Sequence, residues 1–378
     1  MFRIILILCA IFSCIDCVTV RFNLKQLPRF YTPLNDRIFL AGSFNQWIPN
    51  DQRYEFNSVT KALTIDVLQG STIEFKITRG SWSTAETWAD GTARANRKLT
   101  VSNNPQSIDL SIEQWTDTAG RVHTATDQVY ILDSNFSMWN HLPRTRRIWI
   151  YLPRSYSTDL NRRYPVVYAH DAQNLFDAST SFSGEWGIDE SLDNLSQEMI
   201  VVGIDNGGSE RLNELTPFPN ANYGGGQANF YLDFIVDKLR PYINSHFRTK
   251  SERENTAILG SSLGGLCSFY AAIRHENIFG LIGIFSPSFW FSNDIYTYAE
   301  KHTFQNSPPR LYFVGGQPES STMISDMQRM INVLQNTTVE YKQNANKLKL
   351  IVAADGQHQE WFWRREFPNA IKWLFPLF

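Results

Sequence analysis

The pentapeptide GSSLG at residues 260–264 limits the possible folds of this 378-residue chain more than any other segment. It follows the apolar run 256–259 and precedes a helix-like run at 266–274. A G-x-S-x-G segment between a strand and a helix is typical of a nucleophile elbow, whose glycines leave room for a serine with strained backbone angles. The sequence therefore predicts that Ser262 lies at the carboxyl edge of a sheet, with the N–H of Leu263 facing a developing oxyanion. An ordinary Gly/Ser-rich turn is the alternative interpretation.

Residues 128–378 alternate between compact apolar runs and helical patterns. The apolar runs lie at 147–152, 165–169, 199–204, 257–259, 281–285, 311–314 and 348–352. Helical spacing appears at 227–247, where Pro241 predicts a kink, and at 323–334. Near-continuous apolar strands that alternate with helices indicate a mostly parallel sheet with helices on both faces. The sequence therefore predicts one α/β domain over residues 128–378.

Residues 18–118 have a different pattern, with short alternating strands separated by turn residues. The predicted strands are 18–24, 37–40, 63–67, 72–77 and 97–101. No helical period lasts longer than a turn or two, so we expect an all-β sandwich here. The polar residues 119–127 are predicted to be a linker between the sandwich and the α/β domain.

The charge balance excludes one class of partner. The chain has 35 Lys and Arg against 37 Asp and Glu, a formal charge of −2, and no basic cluster beyond short pairs. Proteins that bind nucleic acid usually carry a basic face, so no nucleic-acid partner is predicted. Aromatic residues make up 14% of the chain, which indicates a large core, a sugar-binding surface, or both.

The amino-terminal residues predict export. One arginine precedes an apolar run over residues 4–15, which is too short to span a bilayer comfortably. We interpret residues 1–17 as a cleaved secretory signal peptide, with a short uncleaved anchor as the alternative. The mature protein is then extracellular or in the secretory lumen, without a membrane segment. Three of the four cysteines lie in this leader, so only Cys267 would remain and no internal disulfide is predicted. The N-x-S/T triplets at Asn135, Asn194 and Asn336 are candidate glycosylation sites.

A serine nucleophile needs a base and an orienting carboxylate, and the chain order in this type of fold is Ser, acid, His. Of the histidines after Ser262, His358 is favoured because it follows the strand at 348–352, whereas His275 and His302 do not follow a strand. Glu319 is the favoured acid because it follows the strand and glycine turn at 311–316. The competing carboxylates are Asp294, Asp326 and Asp355.

Several spaced motifs in residues 128–378 resemble one family. They are VYAHDAQNLFD at 167–177, the elbow, SPSFW at 286–290 and DGQHQEW at 355–361. Together they resemble the "putative esterase" family of α/β-hydrolases, which includes enterochelin esterases, the feruloyl and acetylxylan esterases of carbohydrate esterase family 1, and mycobacterial mycolyltransferases. The resemblance implies an α/β-hydrolase fold with Ser262 as nucleophile, His358 as base and Glu319 as acid.

The same resemblance implies where the second oxyanion donor lies. The loop after His170 is expected to supply this N–H, from Asp171, Ala172 or Gln173. Many relatives have glycine where this chain has Ala172, so the local backbone is expected to differ there.

The amino-terminal region resembles the starch- and glycogen-binding modules. The matching segments are FLAGSFNQW at 39–47, EFKITRGSW at 74–82 and the pair at 96–97. The resemblance implies that Trp47 and a second tryptophan, either Trp82 or Trp88, stack on glucose rings while Lys76 and Asn96 bind hydroxyl groups. Exposed tryptophan beside polar groups suits a pyranose. The alternative is that one or both tryptophans belong to the core of the sandwich.

Four residues in loops of the α/β domain are candidates for substrate binding. Arg211 can bind a substrate carboxylate or a polar acyl group, although an Arg211–Glu214 pair that braces its loop is equally consistent with the sequence. The aromatic candidates for a pocket wall are Trp186, Tyr223 and Trp290, with simple packing as the alternative.

The sequence contains no H-x-H, H-E-x-x-H or paired C-x-x-C spacing, so no metal and no cofactor are predicted. The residues together predict a secreted serine esterase that acts on a carbohydrate ester or another small ester, with a module that binds starch-like glucan. An acyltransferase of the same fold is one alternative. A carbohydrate-binding protein with a catalytically silent hydrolase domain is another.

Overall fold

The structure is a computed structural model that describes residues 17–28, 31–120 and 123–376. The chain divides into two compact units, residues 1–121 and 122–378. The predicted signal peptide lies outside the described residues except for Cys17, which begins the first strand. None of the helices in the described part of the chain is long and apolar enough to cross a membrane.

The first unit consists of short strands joined by turns and single 3-10 turns. Its strands are β1 (Cys17–Gln26), β2 (Phe39–Gly42), β3 (Ala62–Leu68), β4 (Thr72–Thr78), β5 (Glu86–Thr87), β6 (Arg97–Thr100), β7 (Gln106–Ser111) and β8 (Gln114–Trp115). β1 pairs with β3 antiparallel and with β7 parallel, β4 pairs antiparallel with both β2 and β6, and β5 pairs with β8. All five predicted strands are present. The sequence analysis missed β7, although Ile108 and Leu110 alternate with polar residues there, and it missed β5 and β8, which are only two residues long.

Alternate side chains of β1 are buried, as expected for a strand with one face in a core. Phe22 of β1 lies against Phe75 of β4, with ring centroids 5.2 Å apart in an edge-to-face contact. Trp115 is fully buried, and its indole N–H donates to the hydroxyl of Thr32 at 2.8 Å. These contacts join two sheets of the first unit through aromatic side chains.

The second unit is built on an eight-stranded sheet. Its strands are β9 (Val129–Ser137), β10 (Thr145–Tyr151), β11 (Val166–His170), β12 (Ile200–Ile204), β13 (Thr256–Ser261), β14 (Leu281–Phe285), β15 (Arg310–Gly316) and β16 (Leu348–Ala353). The spatial order is β16-β15-β14-β13-β11-β12-β10-β9. β10 runs antiparallel to its two neighbours, and β11–β16 are parallel. The predicted, mostly parallel sheet is confirmed, and the unit has an α/β-hydrolase-like fold.

Helices connect the strands of this unit. They are α1 (Ile188–Asp193), α2 (Arg211–Leu215), α3 (Ala228–Phe234), α4 (Arg240–His246), α5 (Leu263–Arg274), α6 (Asp294–Lys301), α7 (Met323–Thr337), α8 (Val339–Gln343) and α9 (Glu360–Leu374). The predicted helix at 227–247 is present as α3 and α4 joined by a π-turn at Ile235–Leu239. Pro241 lies two residues after this turn and has no N–H to donate, which accounts for the altered hydrogen bonding.

Residues 123–127, which begin the second unit, are held by hydrogen bonds to buried acids of that unit. The N–H of Thr126 donates to Asp189 Oδ2 at 2.7 Å, and the N–H of Thr124 donates to Asp177 Oδ1 at 3.1 Å. Both carboxylates belong to residues with no solvent exposure. This part of the predicted linker is therefore anchored by backbone hydrogen bonds to buried acids.

Candidate active site

Ser262 lies in a tight turn between β13 and α5. Its φ and ψ angles are 58° and −121°, in a region that non-glycine residues rarely adopt. The neighbouring glycines make the turn possible, because a Cβ on Gly260 would lie 2.8 Å from His170 Cδ2 and a Cβ on Gly265 would lie 2.7 Å from the carbonyl oxygen of Phe285. Such strain costs about 1–3 kcal/mol and is commonly found at functional sites.

His358 and Glu319 form a hydrogen-bonded pair at the same edge of the sheet. His358 Nδ1 lies 2.7 Å from Glu319 Oε2, and a carboxylate can only accept, so Nδ1 carries the proton and Nε2 is left as the basic nitrogen. The loop after β15, which carries Glu319, meets the loop after β16, which carries His358. Their backbones are very close, since a Cβ on Gly316 would lie 1.9 Å from the carbonyl oxygen of Gly356. The close packing of these two glycines holds Glu319 beside His358.

Two residues that the sequence did not single out hold the glutamate in place. The side chain of Glu319 is fully buried, and its Oε1 accepts from Ser286 Oγ at 2.8 Å and from the N–H of Gly316 at 2.6 Å. Trp363 donates its indole N–H to Ser286 Oγ at 2.8 Å, and its ring lies 5.2 Å from the ring of His358. Ser286 directly follows β14, so its place at the carboxyl edge was predictable. Nothing in the sequence around Trp363 predicted that it lies beside Ser286 and Glu319.

The Ser262 hydroxyl has a different partner in this structure. Ser262 Oγ lies 3.2 Å from Ser288 Oγ, and no hydrogen bond joins it to His358 among the described residues. Two backbone hydrogen bonds also fix the nucleophile to the end of β14 and the loop after it. The N–H of Ser262 donates to the carbonyl oxygen of Phe285, and the N–H of Ser288 donates to the carbonyl oxygen of Ser262, both at 3.0 Å. Catalytic hydrogen bonds are often loose or absent without substrate, and a rotation about χ1 moves Oγ away from Ser288.

The competing histidines and acids have other partners. His275 Nε2 lies 3.1 Å from Asp233, and His302 Nε2 lies 3.1 Å from Glu276. Asp355 accepts two hydrogen bonds from Arg365, at 2.6 and 3.0 Å. These three groups are already paired with other residues, whereas His358 pairs with Glu319.

A buried histidine lies behind the turn. His170 Nδ1 is 2.9 Å from the hydroxyl of Tyr231, and burial lowers the pKa of His170 to about 4. His170 is therefore neutral at neutral pH and packs against the glycines of the turn. It supports the turn and does not contact Ser262 as a base.

Asp171 shapes the loop from which the second oxyanion donor is expected. Its φ angle is 58°, and its buried carboxylate accepts from Arg211 Nε at 2.7 Å, Arg211 Nη2 at 3.0 Å and Asn206 Nδ2 at 2.8 Å. Burial by itself would raise the pKa of Asp171. The Arg211 charge and these hydrogen bonds have the larger, opposite effect, so the pKa lies below its ordinary value. Ala172 and Gln173 begin a short 3-10 turn, and Leu263 begins α5. The N–H groups at such positions have no partner within the helix, so they are free to serve as oxyanion donors.

The structure corrects one of the two interpretations of Arg211, the pair with Glu214. Arg211 clamps Asp171 with two hydrogen bonds and does not pair with Glu214. Glu214 is instead bound by Arg144, at 2.8 Å, and by Arg146. Arg211 therefore positions the loop through Asp171, and its contact with a substrate carboxylate stays a prediction.

Arg211→Met is expected to lower kcat about 100-fold, the effect of losing one oxyanion donor, with a smaller change in KM. The reason is that Asp171 loses both hydrogen bonds that fix the loop. Steady-state kinetics on a simple ester would measure kcat and KM. Arg147→Met is the control, because Arg147 makes a similar ion pair with a different carboxylate, that of Asp205. A kcat within twofold of wild type would show that the clamp does not position the loop.

The three aromatic candidates fall into two groups. Trp186 is buried and packs against Phe285 and Trp363, so it belongs to the core beneath the site and does not line a substrate pocket. Tyr223 and Trp290 are more than half exposed, and their ring centroids lie 6.0 Å apart. These two rings remain candidates for contact with substrate.

The candidate carbohydrate-binding residues lie in the first unit. Trp47 and the exposed Trp82 have ring centroids 6.2 Å apart, with their planes tilted by 45°. Trp88 instead lies under the guanidinium of Arg94, 3.9 Å from its ring centroid. The geometry therefore favours Trp82 as the partner of Trp47.

The polar candidates lie on neighbouring strands of the same unit. β4 pairs with β6 so that Phe75 faces Arg97, and continuing this register by one residue places Asn96 opposite Lys76. Asn96 donates to Glu74 Oε2 at 3.0 Å, and Glu74 shares a strand face with Lys76. Lys76 and Asn96 are thus brought together on one sheet.

One acidic group among the described residues has the spacing of a cation site. Oxygen atoms of Glu185, Asp189 and Glu190 lie within 4.8 Å of one another. Burial raises the pKa of Asp189 to about 8, and the guanidinium of Arg364 lies 3.9 Å from both Glu185 and Glu190. The sequence did not single out this group, and the arginine already supplies it with a positive charge.

Comparisons with known proteins agree with the fold of the second unit. An uncharacterized protein of Bacillus subtilis, YbbA, is 27% identical over 248 residues, which cover 63% of this chain and 96% of YbbA. The crystal structure of the BES protein from Bacillus cereus has a TM-score of 0.53 at 18% identity, over 69% of this chain and 99% of that one. An α-amylase of Niallia circulans is 36% identical over 105 residues, 27% of this chain but only 8% of the amylase.

The family comparison covers most of the second unit. The model described as "Putative esterase" matches residues 140–374, which is more than half of the chain. This range contains Ser262, Glu319 and His358. The chain therefore belongs to the esterase family.

Proposed function

We propose that this protein is a secreted serine esterase that hydrolyses a carboxylic ester on a carbohydrate or another small polar molecule. The observation that carries the proposal is the hydrogen-bonded pair of His358 and Glu319 at the sheet edge where Ser262 occupies its strained turn. The family is one of esterases, and acyl transfer needs this set of nucleophile, base and orienting acid.

The reaction follows from the roles of these groups. Ser262 Oγ attacks the ester carbonyl carbon while His358 Nε2 takes the hydroxyl proton, and Glu319 stabilises the resulting imidazolium. The N–H of Leu263 and one N–H of the 171–173 loop bind the oxyanion. The proton then passes from His358 to the leaving alcohol, which departs and leaves an acyl-serine. Water repeats the sequence, so the acid is released and the Ser262 hydroxyl is restored.

The Ser262–Ser288 contact describes the resting state in this scheme. The nucleophile holds a neutral hydrogen bond until substrate enters, and it then exchanges Ser288 for His358. Such an exchange costs little, because one hydroxyl hydrogen bond replaces another.

Hydrolysis of p-nitrophenyl acetate and methyl ferulate tests the esterase proposal. Wild type is expected to hydrolyse at least one of them, and Ser262→Ala is expected to lose this activity, with the exposed Ser245→Ala as control. Product analysis with added alcohol separates hydrolysis from acyl transfer to an alcohol. A folded wild type without activity on any simple ester, or an equally active Ser262→Ala, would contradict the proposal.

We further propose that the first unit is a β-sandwich that binds a starch-like glucan. The support is the pair of the half-buried Trp47 and the exposed Trp82, the two polar residues Lys76 and Asn96 opposite each other on one sheet, and the similarity of 105 residues of this chain to part of an α-amylase. Aromatic rings suit the apolar faces of sugars, and the amine and amide suit their hydroxyl groups.

Trp82→Ala is expected to weaken binding to insoluble starch about fivefold to tenfold, since one ring stack is lost. Trp47→Ala is expected to do the same, whereas Trp88→Ala is expected to bind like wild type because Arg94 already covers that ring. A starch sedimentation assay would measure all three. If Trp88→Ala and not Trp82→Ala abolished binding, the assignment of the second tryptophan would be wrong.

A further inference from the structure

A cavity lies at the edge of the large sheet opposite the candidate active site. Its volume is about 680 Å³, and it is lined by residues at or before the beginnings of five parallel strands: Pro165, Met199, Asn255, Gly280 and Arg310. The residues of the candidate active site lie at the carboxyl ends of the same strands. Because these strands are parallel, the cavity and the active site are at opposite edges of the sheet.

The cavity is strongly cationic in a chain whose net charge is slightly negative. Its charged lining consists of Arg162, Arg163, Lys250, Arg253, Arg310 and Lys347 against two glutamates. One of them, Glu198, is already paired with Arg162, and the other, Glu254, is mostly exposed and 4.0 Å from Arg253. Outside the lining, Glu340 pairs with Lys347 at 3.4 Å. The six cations still exceed these three carboxylates.

Arg310 is the clearest case of an uncompensated charge. Its guanidinium lies 4.4 Å from the ring centroid of Trp373 and donates from Nη2 to the carbonyl oxygen of the same residue. Its Nε is buried and has no hydrogen-bond partner, and burial lowers the pKa of Arg310. No carboxylate in the described part of the chain forms an ion pair with it. A buried donor and a partly desolvated charge are both unfavourable without an acceptor.

Arg253, which also lines the cavity, has a second donor without a hydrogen-bond partner. Its Nε and Nη1 donate to the carbonyl oxygens of Glu276, at 2.9 Å, and Ser307, at 3.0 Å. Its Nη2 is buried and has no partner. The two arginines are neighbours, because the N–H of Gly280 donates to the carbonyl oxygen of Arg253 and the N–H of Arg310 donates to that of Gly280.

We infer that this cavity binds an oxyanion of the phosphate type, with Arg253 and Arg310 as its ligands. Guanidinium groups present N–H donors whose geometry matches phosphate oxygens, and both arginines line the cavity within its excess of positive charge. The volume exceeds that of a free phosphate ion, and Met199, Leu281 and Leu374 supply apolar lining. A phosphate group carried by a small organic molecule therefore fits better than inorganic phosphate alone.

Thermal unfolding of the full chain tests the inference. Inorganic phosphate and phenyl phosphate are titrated separately at pH 7.5 and constant ionic strength, with sodium chloride as the reference. A ligand that binds only the folded state raises Tm in a saturable way. We expect a saturable rise for both anions, at lower concentration for phenyl phosphate. A response to inorganic phosphate alone would place the free ion in the cavity and refute the organic ligand.

Arg310→Gln and Arg253→Gln are expected to weaken the apparent affinity about tenfold or more, since each removes a charged donor. Arg329→Gln is the matched control, because Arg329 also lies over an aromatic ring, that of Tyr296, and does not line the cavity. If Arg310→Gln does not fold, Lys347→Gln is compared in its place. The inference would be overturned if phosphate raised the Tm of wild type no more than chloride does. It would also be overturned if all cavity variants showed the same Tm rise as wild type.

The esterase proposal does not depend on this test. The cavity variants are expected to keep the esterase activity of wild type, because their residues lie at the opposite edge of the sheet from Ser262. An inactive wild type that still binds phosphate would contradict the esterase proposal alone.

Discussion

His358→Ala is expected to lower kcat by about 10⁴- to 10⁶-fold, with the folded structure retained. The variant removes the group that takes the Ser262 proton, and a neutral hydroxyl is a poor nucleophile at neutral pH. The side chain of His358 is partly exposed, so the fold should be retained and the main effect should be on catalysis. Single-turnover and steady-state hydrolysis of p-nitrophenyl acetate would measure it.

His302→Ala is a matched control for this variant. It removes a histidine that also lies beside a glutamate, Glu276, but away from the Ser262 turn. Its activity should be close to that of wild type. A His358→Ala protein that keeps more than about a tenth of wild-type kcat would show that another group is the base.

Glu319→Gln is expected to lower kcat by about 10³- to 10⁴-fold, nearly as much as loss of the base itself. Both carboxylate oxygens of Glu319 accept, from Ser286 and Gly316 on one side and from His358 on the other. A glutamine must turn its NH₂ group toward one of these donors. If that group faces Nδ1, the imidazole loses the tautomer in which Nε2 is the base.

Glu276→Gln controls for the loss of a glutamate from a Glu–His pair, because it alters the contact with His302 and not the one with His358. The activities of the two glutamine variants should differ by more than about 100-fold. Equal activities would mean that Glu319 is not the orienting acid.

The sequence was most informative where chemistry follows strand order. Ser262, Glu319 and His358 each follow an apolar run, and parallel strands bring their carboxyl ends to one edge, so their common location was predictable from spacing alone. β9 was missed for the opposite reason. It is an edge strand with antiparallel pairing, and its polar and apolar residues do not form the continuous apolar run of a buried parallel strand.

Pairings between distant segments were not predictable in the same way. Trp363, Ser286 and Glu319 form one hydrogen-bonded chain although they come from three separate parts of the sequence. The clamp of Arg211 on Asp171 spans 40 residues and replaced the local pair with Glu214. Local spacing favours partners within one helical turn, and tertiary packing decides otherwise.

Aromatic residues show the same limit. Trp186, Tyr223 and Trp290 have similar loop contexts in the sequence, yet Trp186 is buried and the other two are exposed. The choice between Trp82 and Trp88 likewise depended on where Arg94 lies. A tryptophan suits both a core and a binding surface, so burial has to be read from the structure.

Covalent labelling of Ser262 tests the central claim most directly. A fluorophosphonate reacts with a serine only when its base and oxyanion donors are in place, and intact-mass and peptide analysis locate the adduct. We expect one adduct, on Ser262, in the wild type, none on Ser262→Ala, and labelling slowed by orders of magnitude in His358→Ala. A folded wild type that stays unlabelled, or a Ser262→Ala protein labelled at the wild-type rate, would contradict the account.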